Sequence, residues 1–337
     1  MYFSVPFNQC TRILLTVGIF AAAGGARGDV VYVASKSSGK LLRFDTAANP
    51  MAVETLSPTL YQPAALAFGA DGNLYVAEWG NSGNSNTPQV RRYSPATNQI
   101  SLVAELPGSK PSAIAFTPDG KMLVGRTGAG QMVGIDGWNQ GSVSISSFGP
   151  SLNGSTGIAV APDGAVYVSN MSLAPSGFGY DIASGPVVRL TAAGTFDREI
   201  VPDGSETGGL SGPTGVVLSA GALFTASVMN GLIFKTTGLE STPSTEPFAA
   251  LADNFYSSPG SLISLSDGSF LAGSAFPSNN SIYQVSSIGS NLATIINPNF
   301  GQVGGIAAVP EPSAWALVTV AALTLASHRL RSPRRQA

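Results

Sequence analysis

The chain has 337 residues, of which 11% are charged, and it contains 40 glycines, 23 prolines, one cysteine and one histidine. Glycine and proline favour turns over helices, so this composition predicts many short strands. Because Cys10 and His328 lie near the two ends, the body between them cannot hold a disulfide, a Ser-His-Asp or Cys-His catalytic set, or an ordinary zinc site.

The body of the chain is mildly acidic. Between Asp29 and Val309, 5 Lys and 6 Arg stand against 11 Asp and 7 Glu, which gives a net charge of −7 (11 − 18). Binding to nucleic acid depends on clustered Lys and Arg that neutralise phosphates. The sequence therefore predicts no nucleic-acid partner.

Residues 1–28 have the pattern of a secretory signal. Arg12 is the positive charge before an apolar run from Ile13 to Ala23, and small residues follow that run. The pattern leaves open whether cleavage falls after Ala23, Ala26 or Gly28. The mature body is predicted to begin near Asp29 and to be exported.

The body consists of a repeated unit. Five similar segments begin 48, 44, 58 and 46 residues apart, at Pro63, Pro111, Ser155, Pro213 and Pro259. In most units an apolar strand, such as Ile114–Phe116, meets an Asp-Gly pair, and a second strand such as Val166–Val168 follows. Asp-Gly between apolar strands is typical of a hairpin with a type I′ turn. Third and fourth strands follow, as in Val90–Tyr93 and Ile100–Val103.

Four strands per unit of 40–50 residues indicate propeller blades or a solenoid, and the two ends of the body decide between them. The segment from Val30 matches a second and third strand, whereas the segment from Val303 matches only a first strand. We therefore predict an all-β, six-bladed propeller over residues 29–309, in which Ile306 pairs with the sheet that holds Tyr32. Such closure leaves few exposed strand edges.

The units resemble NHL repeats, most closely in the segment ADGNLYVAEWGNSGN (residues 70–84), and lack the Gly-His and Trp-Asp pairs of WD repeats. The resemblance implies the propeller fold and does not define a function.

A binding site is predicted where the loops after the second strands gather at one mouth of the channel, because binding residues usually lie on loops of a rigid frame. Aromatic rings there can stack on a sugar or peptide, and asparagines both donate and accept hydrogen bonds. The candidate residues are Glu78, Trp79, Arg126, Asn170, Tyr180, Asp181, Asn230 and Asn280.

The alternative function is that of a metal-dependent lactonase or other hydrolase, since six-bladed propellers of the gluconolactonase family bind a divalent metal through Glu, Asn and Asp. Here the positions after the second strands are Glu78, Arg126, Asn170, Ser227 and Gly273, of which one is acidic. The sequence therefore predicts no catalytic residue, cofactor or metal site and favours a binding or scaffold module over an enzyme. If Ca²⁺ were bound, Glu78, Asn170 and Asn230 would be its candidate ligands.

The C-terminal segment, residues 310–337, has three ordered features. Val309-Pro310-Glu311-Pro312-Ser313 comes first, a mostly apolar run from Ser313 to Ser327 follows, and a basic cluster ends the chain, namely Arg329, Arg331, Arg334 and Arg335. The apolar run has 15 residues. As a helix it would be roughly 22 Å long, whereas a comfortable membrane span needs about 20 residues. The arginines favour the cytoplasmic side of a membrane.

This order resembles the PEP-CTERM sorting signal of Gram-negative bacteria. The resemblance implies processing by an exosortase-type enzyme near Pro310–Pro312, transient contact with the inner membrane, and delivery to the outer envelope or the exterior. A permanent C-terminal anchor is the alternative. The implied partners are exopolysaccharide or envelope proteins.

Deleting residues 310–337 is expected to leave the protein mislocalised in its host, because the predicted sorting signal is then absent. Fractionation of cells into inner membrane, outer envelope and medium measures the distribution. Unchanged delivery of the truncated chain would contradict the sorting prediction.

Overall fold

The structure is a computed structural model, and it describes residues 28–48, 52–80, 87–108, 110–128, 130–176, 179–204, 209–251, 259–274, 281–289, 293–296 and 302–309. Residues 1–27 and 310–337, which hold most of the predicted export signal and all of the sorting signal except Val309, lie outside the described residues. In the described part of the chain every regular element is a strand, and no helix there could cross a membrane.

Six four-stranded antiparallel sheets form six blades, which confirms the predicted all-β propeller. Blade 1 contains β1 (Val30–Ser35), β2 (Lys40–Asp45), β3 (Glu54–Thr59) and the last strand, β26 (Val303–Ala308). Blade 2 contains β4 (Pro63–Phe68), β5 (Leu74–Glu78), β6 (Gln89–Ser94) and β7 (Gln99–Glu105). Blade 3 contains β8 (Pro111–Phe116), β9 (Met122–Arg126), β10 (Gly130–Asp136) and β11 (Ser144–Leu152).

The remaining blades repeat this order. Blade 4 contains β12 (Ser155–Val160), β13 (Val166–Asn170), β16 (Val187–Leu190) and β17 (Phe196–Val201), with an inserted hairpin of β14 (Ser172–Ser176) and β15 (Gly179–Ala183). Blade 5 contains β18 (Pro213–Ser219), β19 (Ala222–Ser227), β20 (Leu232–Thr237) and β21 (Ser244–Ala250). Blade 6 contains β22 (Pro259–Ser264), β23 (Phe270–Ser274), β24 (Ile282–Val285) and β25 (Ala293–Ile296).

The ring is closed by the two ends of the body, as the sequence predicted. β26 pairs antiparallel with β1, with Val33 opposite Ile306 and Tyr32 opposite Ala307. Beyond the strands, the Val309 N–H donates to the Val30 carbonyl at 2.9 Å. The first and last described segments therefore belong to one sheet.

The core lies between blades. Six clusters of buried apolar side chains each join two neighbouring blades. Successive residues of a strand point to opposite faces, so Tyr75 and Ala77 pack towards blade 3 while Leu74 and Val76 pack towards blade 1. This is why the second strands read as continuous apolar runs.

The innermost strands approach each other closely around the central channel. A Cβ atom placed on Gly304 would lie 1.9 Å from the Pro63 carbonyl oxygen, and one on Gly157 would lie 2.0 Å from the Thr214 carbonyl oxygen. Only residues without a side chain fit such a contact between backbones. The channel encloses about 410 Å³ and is lined by residues from all six innermost strands, most of them apolar.

The Asp-Gly hairpins form where they were predicted, but the prediction of type I′ turns there is wrong. The Gly72 N–H donates to the Gly69 carbonyl, and Gly72 has a φ of 74° while Asp71 does not have positive φ. This is a three-residue loop with glycine in the left-handed region. Asp71 instead accepts the N–H of Asn73 through Oδ1 at 3.1 Å. Positive φ at both central positions occurs in blade 5, at Ala220 and Gly221.

Gly304→Ala is expected to destabilise the fold by about 3 kcal/mol or more, because the added methyl group meets backbone that cannot move without opening the ring. Thermal and denaturant unfolding measure the loss. Gly128→Ala is the matched control, because a Cβ atom on Gly128 would have no heavy atom within 4 Å, and it should change stability by less than about 1 kcal/mol. Equal stability of the two variants would contradict the close approach of β26 and β4.

Candidate functional site

The loops after the second strands lie on one face of the ring, as predicted. On this loop face, the last residue of each second strand pairs with the first residue of the innermost strand, for example Glu78 with Pro63 and Arg126 with Pro111. The register shifts directly beside this pair in all six blades. Bulges of this kind re-aim side chains at the rim of a sheet. The Asp-Gly loops lie on the opposite face, here called the turn face.

We call the last residue of each second strand the slot residue. The six slot residues are Ser35, Glu78, Arg126, Asn170, Ser227 and Ser274. The alignment of the repeated units placed Gly273 in this set, and this prediction is wrong by one residue. β23 runs to Ser274, and Ser274 is the residue opposite Pro259.

Glu78 is a buried ion-pair partner in blade 2. Its carboxylate accepts the Arg91 Nε–H at 2.8 Å, an Arg91 Nη2–H at 2.5 Å, the Gln89 side-chain amide at 2.8 Å and the Tyr61 N–H at 3.1 Å. These four hydrogen bonds occupy the two oxygens. The side chain is 0% exposed. Glu78 therefore holds the blade together and has no oxygen directed at a ligand.

Asn170 and Ser227 serve the same purpose in blades 4 and 5. Asn170 Oδ1 accepts the Asn153 N–H at 2.8 Å, and Ser227 Oγ accepts the Ser211 N–H at 3.0 Å. In each case, as for Tyr61 and Glu78, the residue that donates its N–H stands two positions before the innermost strand of the same blade. The slot side chain thus fixes the loop that enters the same blade.

Asn230 is also engaged locally. Its Nδ2 donates to the Gly209 carbonyl at 2.9 Å, and its Oδ1 accepts the Leu232 N–H at 3.2 Å. Glu78, Asn170 and Asn230, the candidate Ca²⁺ ligands, are therefore each bound within their own blade. Among the residues that the structure describes, no three His, Cys, Asp or Glu side chains are grouped as a metal site would need.

Two further candidates lie in the segment after β13, which was expected to be a loop and instead forms the hairpin β14–β15. Tyr180 and Asp181 lie on β15, opposite Pro175 and Ala174. Asn280 lies outside the described residues. The sequence prediction for these three side chains stays a prediction.

Among the six slot residues, Arg126 is the one whose side chain has no oxygen. A guanidinium has five donors and no acceptor, so Arg126 cannot take a loop N–H as Glu78, Asn170 and Ser227 do. It is half-buried, and none of the ion pairs among the described residues includes it. Its side chain lines a cleft on the loop face.

The cleft encloses about 440 Å³ and belongs to blades 2 and 3. It is lined by Trp79, Pro88, Gly108, Lys110, Arg126, Thr127 and Gly128. Trp79 donates its indole N–H to the Pro111 carbonyl at 2.7 Å, which fixes the ring across the boundary between the two blades.

Two lysines surround the Trp79 ring. The Lys36 Nζ atom lies 3.1 Å from the ring centroid, and the Lys110 Nζ atom lies 5.2 Å from it. Such cation–π contacts hold ammonium groups where water is partly excluded. Burial, with a smaller contribution from the charge of Lys110, lowers the pKa of Lys36 from 10.5 to about 8.

Sequence reasoning missed Lys36 and Lys110, although a signal for Lys36 was present. Lys36 and Trp79 occupy equivalent positions, since each directly follows a slot residue, and each donates its N–H to the residue before the innermost strand of its blade. Extending the repeat alignment to the first blade sets Ser35-Lys36 against Glu78-Trp79. Lys110 stands one residue before Pro111, where the aligned units began.

The turn face has a different ionic feature. Arg189 forms ion pairs with Asp163 and Asp197 of its own blade and with Glu240 of blade 5, at 3.6, 2.8 and 3.0 Å. It also lies over the ring of Tyr167. This arginine therefore joins two blades through acidic partners on both.

Lys36→Met keeps the apolar stem against Trp79 and removes the charge, so we expect it to alter the pH dependence of stability. In the wild type the folded-state pKa of Lys36 lies below the unfolded value, so the unfolded chain binds more protons between about pH 8 and 10.5 and stability rises with pH there.

The variant should be more stable than the wild type at pH 7, by on the order of 1–3 kcal/mol since one pKa unit corresponds to about 1.4 kcal/mol, and the difference should shrink towards pH 10. Urea unfolding at both pH values measures it. A difference independent of pH would show that Lys36 is not desolvated in the fold.

Comparisons with known proteins are informative for structure only. No protein-family model and no curated protein sequence matches the chain. A chain in the crystal structure of a nidogen/laminin complex is similar, with 15% identity, a TM-score of 0.65, and coverage of 84% of this chain and 99% of that one.

Two enzyme-related structures are also similar. A streptogramin B lyase has 18% identity and a TM-score of 0.52, with 70% of each chain covered. A protein described as a "putative gluconolactonase" has 14% identity and a TM-score of 0.55, with 72% of this chain and 80% of that one covered. Likenesses at this level of identity show the fold: the chain is a six-bladed β-propeller with NHL- and gluconolactonase-like structural neighbours.

Proposed function

We propose that this chain is an exported binding module of the bacterial envelope that holds a matrix polysaccharide in the cleft beside Trp79. The observation that carries the proposal is the cleft itself. It lies on the loop face, where a rigid frame presents loops from neighbouring blades, and it combines the Trp79 ring with the side chains of Lys110 and Arg126.

The frame around the cleft supports a binding role. The Trp79 indole N–H is donated to the Pro111 carbonyl at 2.7 Å and the Thr127 N–H to the Lys110 carbonyl at 3.0 Å, so the walls of the cleft are held together without a ligand. Pre-organisation lowers the entropic cost of binding. Its volume falls within the usual range of ligand pockets.

The location in the proposal comes from the sequence. The apolar run at the N-terminus and the Pro-Glu-Pro, apolar and arginine-rich order at the C-terminus support export and sorting by an exosortase-type enzyme. Outside the cell, polysaccharide and envelope proteins are the available partners. A rigid cleft with polar and aromatic groups favours the polysaccharide.

The test is binding of the purified full-length protein to polysaccharide from the producing bacterium. Trp79→Ala should weaken binding at least tenfold, because truncating an aromatic residue at the centre of a binding site commonly costs 2 kcal/mol or more. Met229→Ala is the matched control, since Met229 is an exposed apolar residue on the loop face of blade 5. Biolayer interferometry on immobilised polysaccharide provides the measurement.

Two outcomes would contradict the proposal. Equal binding by wild type and Trp79→Ala would remove the cleft from the interaction. Calcium-dependent thermal stabilisation together with lactone turnover would favour the alternative, a metal-dependent hydrolase. The proposed module should bind equally with and without chelator.

A further inference from the structure

The outermost strand of each blade is a sheet edge, and β11 of blade 3 is an edge with unusually little protection. It has nine residues and is the longest strand that the structure describes. No Asp, Glu, Lys or Arg occurs between Asp136 and Asp163, so the strand and the loops on both sides of it are uncharged. An exposed edge of this kind offers backbone N–H and C=O groups to another strand.

The other outermost strands have features that normally prevent such pairing, namely charge or a short length. Charged residues occur in the outermost strands of blades 1, 2, 4 and 5: Glu54 in β3, Glu105 in β7, Asp197, Arg198 and Glu199 in β17, and Glu246 in β21. β25 of blade 6 is uncharged and has four residues. β11 contains Pro150 in its second half, whereas its first half, residues 144–148, has neither charge nor proline.

The first half of β11 is a regular and accessible edge. Residues 144–148 pair one by one with residues 132–136 of β10, and the register shifts beyond them. Residues 144–147 are all exposed, although successive side chains point to opposite faces of the sheet. In an antiparallel pair every second residue of an edge strand directs its N–H and C=O away from its neighbour. These groups of β11 therefore point outward from the ring.

Two exposed apolar side chains lie at the start of this edge. Val143 is 37% exposed and Ile145 is 48% exposed, and they are two of the eight large apolar residues that the described part of the chain leaves exposed. Ile145 lies opposite Ile135 of β10, which is buried between blades 2 and 3, so Ile145 continues that apolar layer outward. A strand added to the edge would cover it.

The occupant that this edge fits is the same edge of a second copy. A twofold axis through Ile145, perpendicular to the sheet, sets the two strands antiparallel and places donors of one copy opposite acceptors of the other. Ile145 then faces its own duplicate, and Ser144 faces Ser146. Self-pairing also brings each charge of an edge near its duplicate, which is destabilising. β11 has no charge to duplicate, and Asp136, opposite Ser144, is neutralised by Lys121 at 2.5 Å.

We propose that this chain forms a weak dimer in which β11 strands of two copies pair antiparallel, with Ile145 facing Ile145, so that the two blade 3 sheets become one continuous sheet. A contact of about five residues a side is small, and interfaces below about 1,200 Å² are typical of transient complexes. We therefore expect a dissociation constant in the micromolar range or weaker.

The pairing sets the orientation of the two copies. β11 runs from the turn face to the loop face, since Ser144 lies opposite Asp136 and Leu152 lies opposite Gly130. Antiparallel pairing reverses this direction in the second copy, so the two loop faces point in opposite directions. The dimer then has one cleft beside Trp79 on each side and bridges two polysaccharide chains. The bridging rests on the proposed function, whereas the pairing does not.

Sedimentation velocity of the full-length protein, from low to high micromolar concentration, measures the pairing. The wild type should pass from monomer to dimer, and high salt should not weaken the dimer, because salt screens charges and no ion pair contributes. Ile145→Lys sets two lysines opposite each other and should stay monomeric. Leu102→Lys is the matched control, since Leu102 is 54% exposed on the outermost strand of blade 2, and it should dimerise as the wild type does. All three proteins share the apolar run from Ser313 to Ser327, so association through that run would be equal in all.

Cross-linking tests the register. In a Cys10→Ser background, Ile145→Cys should form an intermolecular disulfide when two thiols are oxidised by dioxygen with copper phenanthroline. Directly opposed residues of an antiparallel pair have Cβ atoms about 4.5–5.5 Å apart, which is near the range of a disulfide. Leu102→Cys in the same background should not cross-link. Thermal melts of each variant show that the fold is intact.

The outcomes separate this inference from the proposed function. A wild type that stays monomeric at high micromolar concentration, equal association of wild type and Ile145→Lys, or absence of the disulfide would each overturn the pairing. Ile145→Lys should bind polysaccharide and no longer bridge it, as measured by the turbidity of the mixture, and equal turbidity with wild type would contradict the bridging. If Trp79→Ala dimerises and still binds polysaccharide, the proposed function fails and the pairing stands.

Discussion

The close approach of six innermost strands is the constraint on which the molecule depends. Gly304 and Gly157 touch the backbone of the next blade at distances that exclude a side chain. Where a side chain is present, it can reach across instead, as when Ser112 Oγ donates to the Ser155 carbonyl and Thr156 Oγ1 donates to the Pro213 carbonyl. These contacts bring neighbouring blades close enough for the apolar clusters between them to be buried. Since the chain has little charge, burial of apolar surface between blades is its main source of stability.

The same constraint bears on the described ends of the loops that enter blades 2, 4 and 5. A blade that is fixed at the channel must also fix the loop through which the chain enters it. Glu78, Asn170 and Ser227 do so with three different side chains that share one chemical property, a hydrogen-bond acceptor. Blades 2, 4 and 5 therefore share this contact although the residue that makes it differs. Arg126 stands out against this background because its chemistry is the opposite one.

The fold could be predicted from sequence because its determinants are local and repeated. Asp-Gly pairs, buried second strands and the incomplete first and last units all recur at readable spacing, and together they define the number of blades and the closure. The turn type was harder, since the three-residue loop and the two-residue loop differ by one residue in register. The slot at Ser274 was misplaced by one residue, although Ser274 stands seven positions after Asp267 just as Glu78 stands seven positions after Asp71.

The site was less predictable because its members come from separate parts of the chain. Trp79 and Arg126 were found as residues that follow second strands, but nothing local marks Glu78 as bound by Arg91 rather than exposed. Lys36 and Trp79 are far apart in sequence and meet only because blades 1 and 2 are neighbours in a closed ring. Contacts between neighbouring blades decide which candidate residues lie together, and these contacts cannot be deduced from the repeat pattern in the sequence.

The direction of β1 and β26 has a consequence for orientation. β1 runs from Val30 to Ser35 towards the loop face, and β26 runs from Val303 to Ala308 away from it, so the described body begins and ends on the turn face. A partner that binds the residues beyond Val309 therefore approaches the propeller from the turn face. The loop face, where Trp79 lies, then points away from that partner.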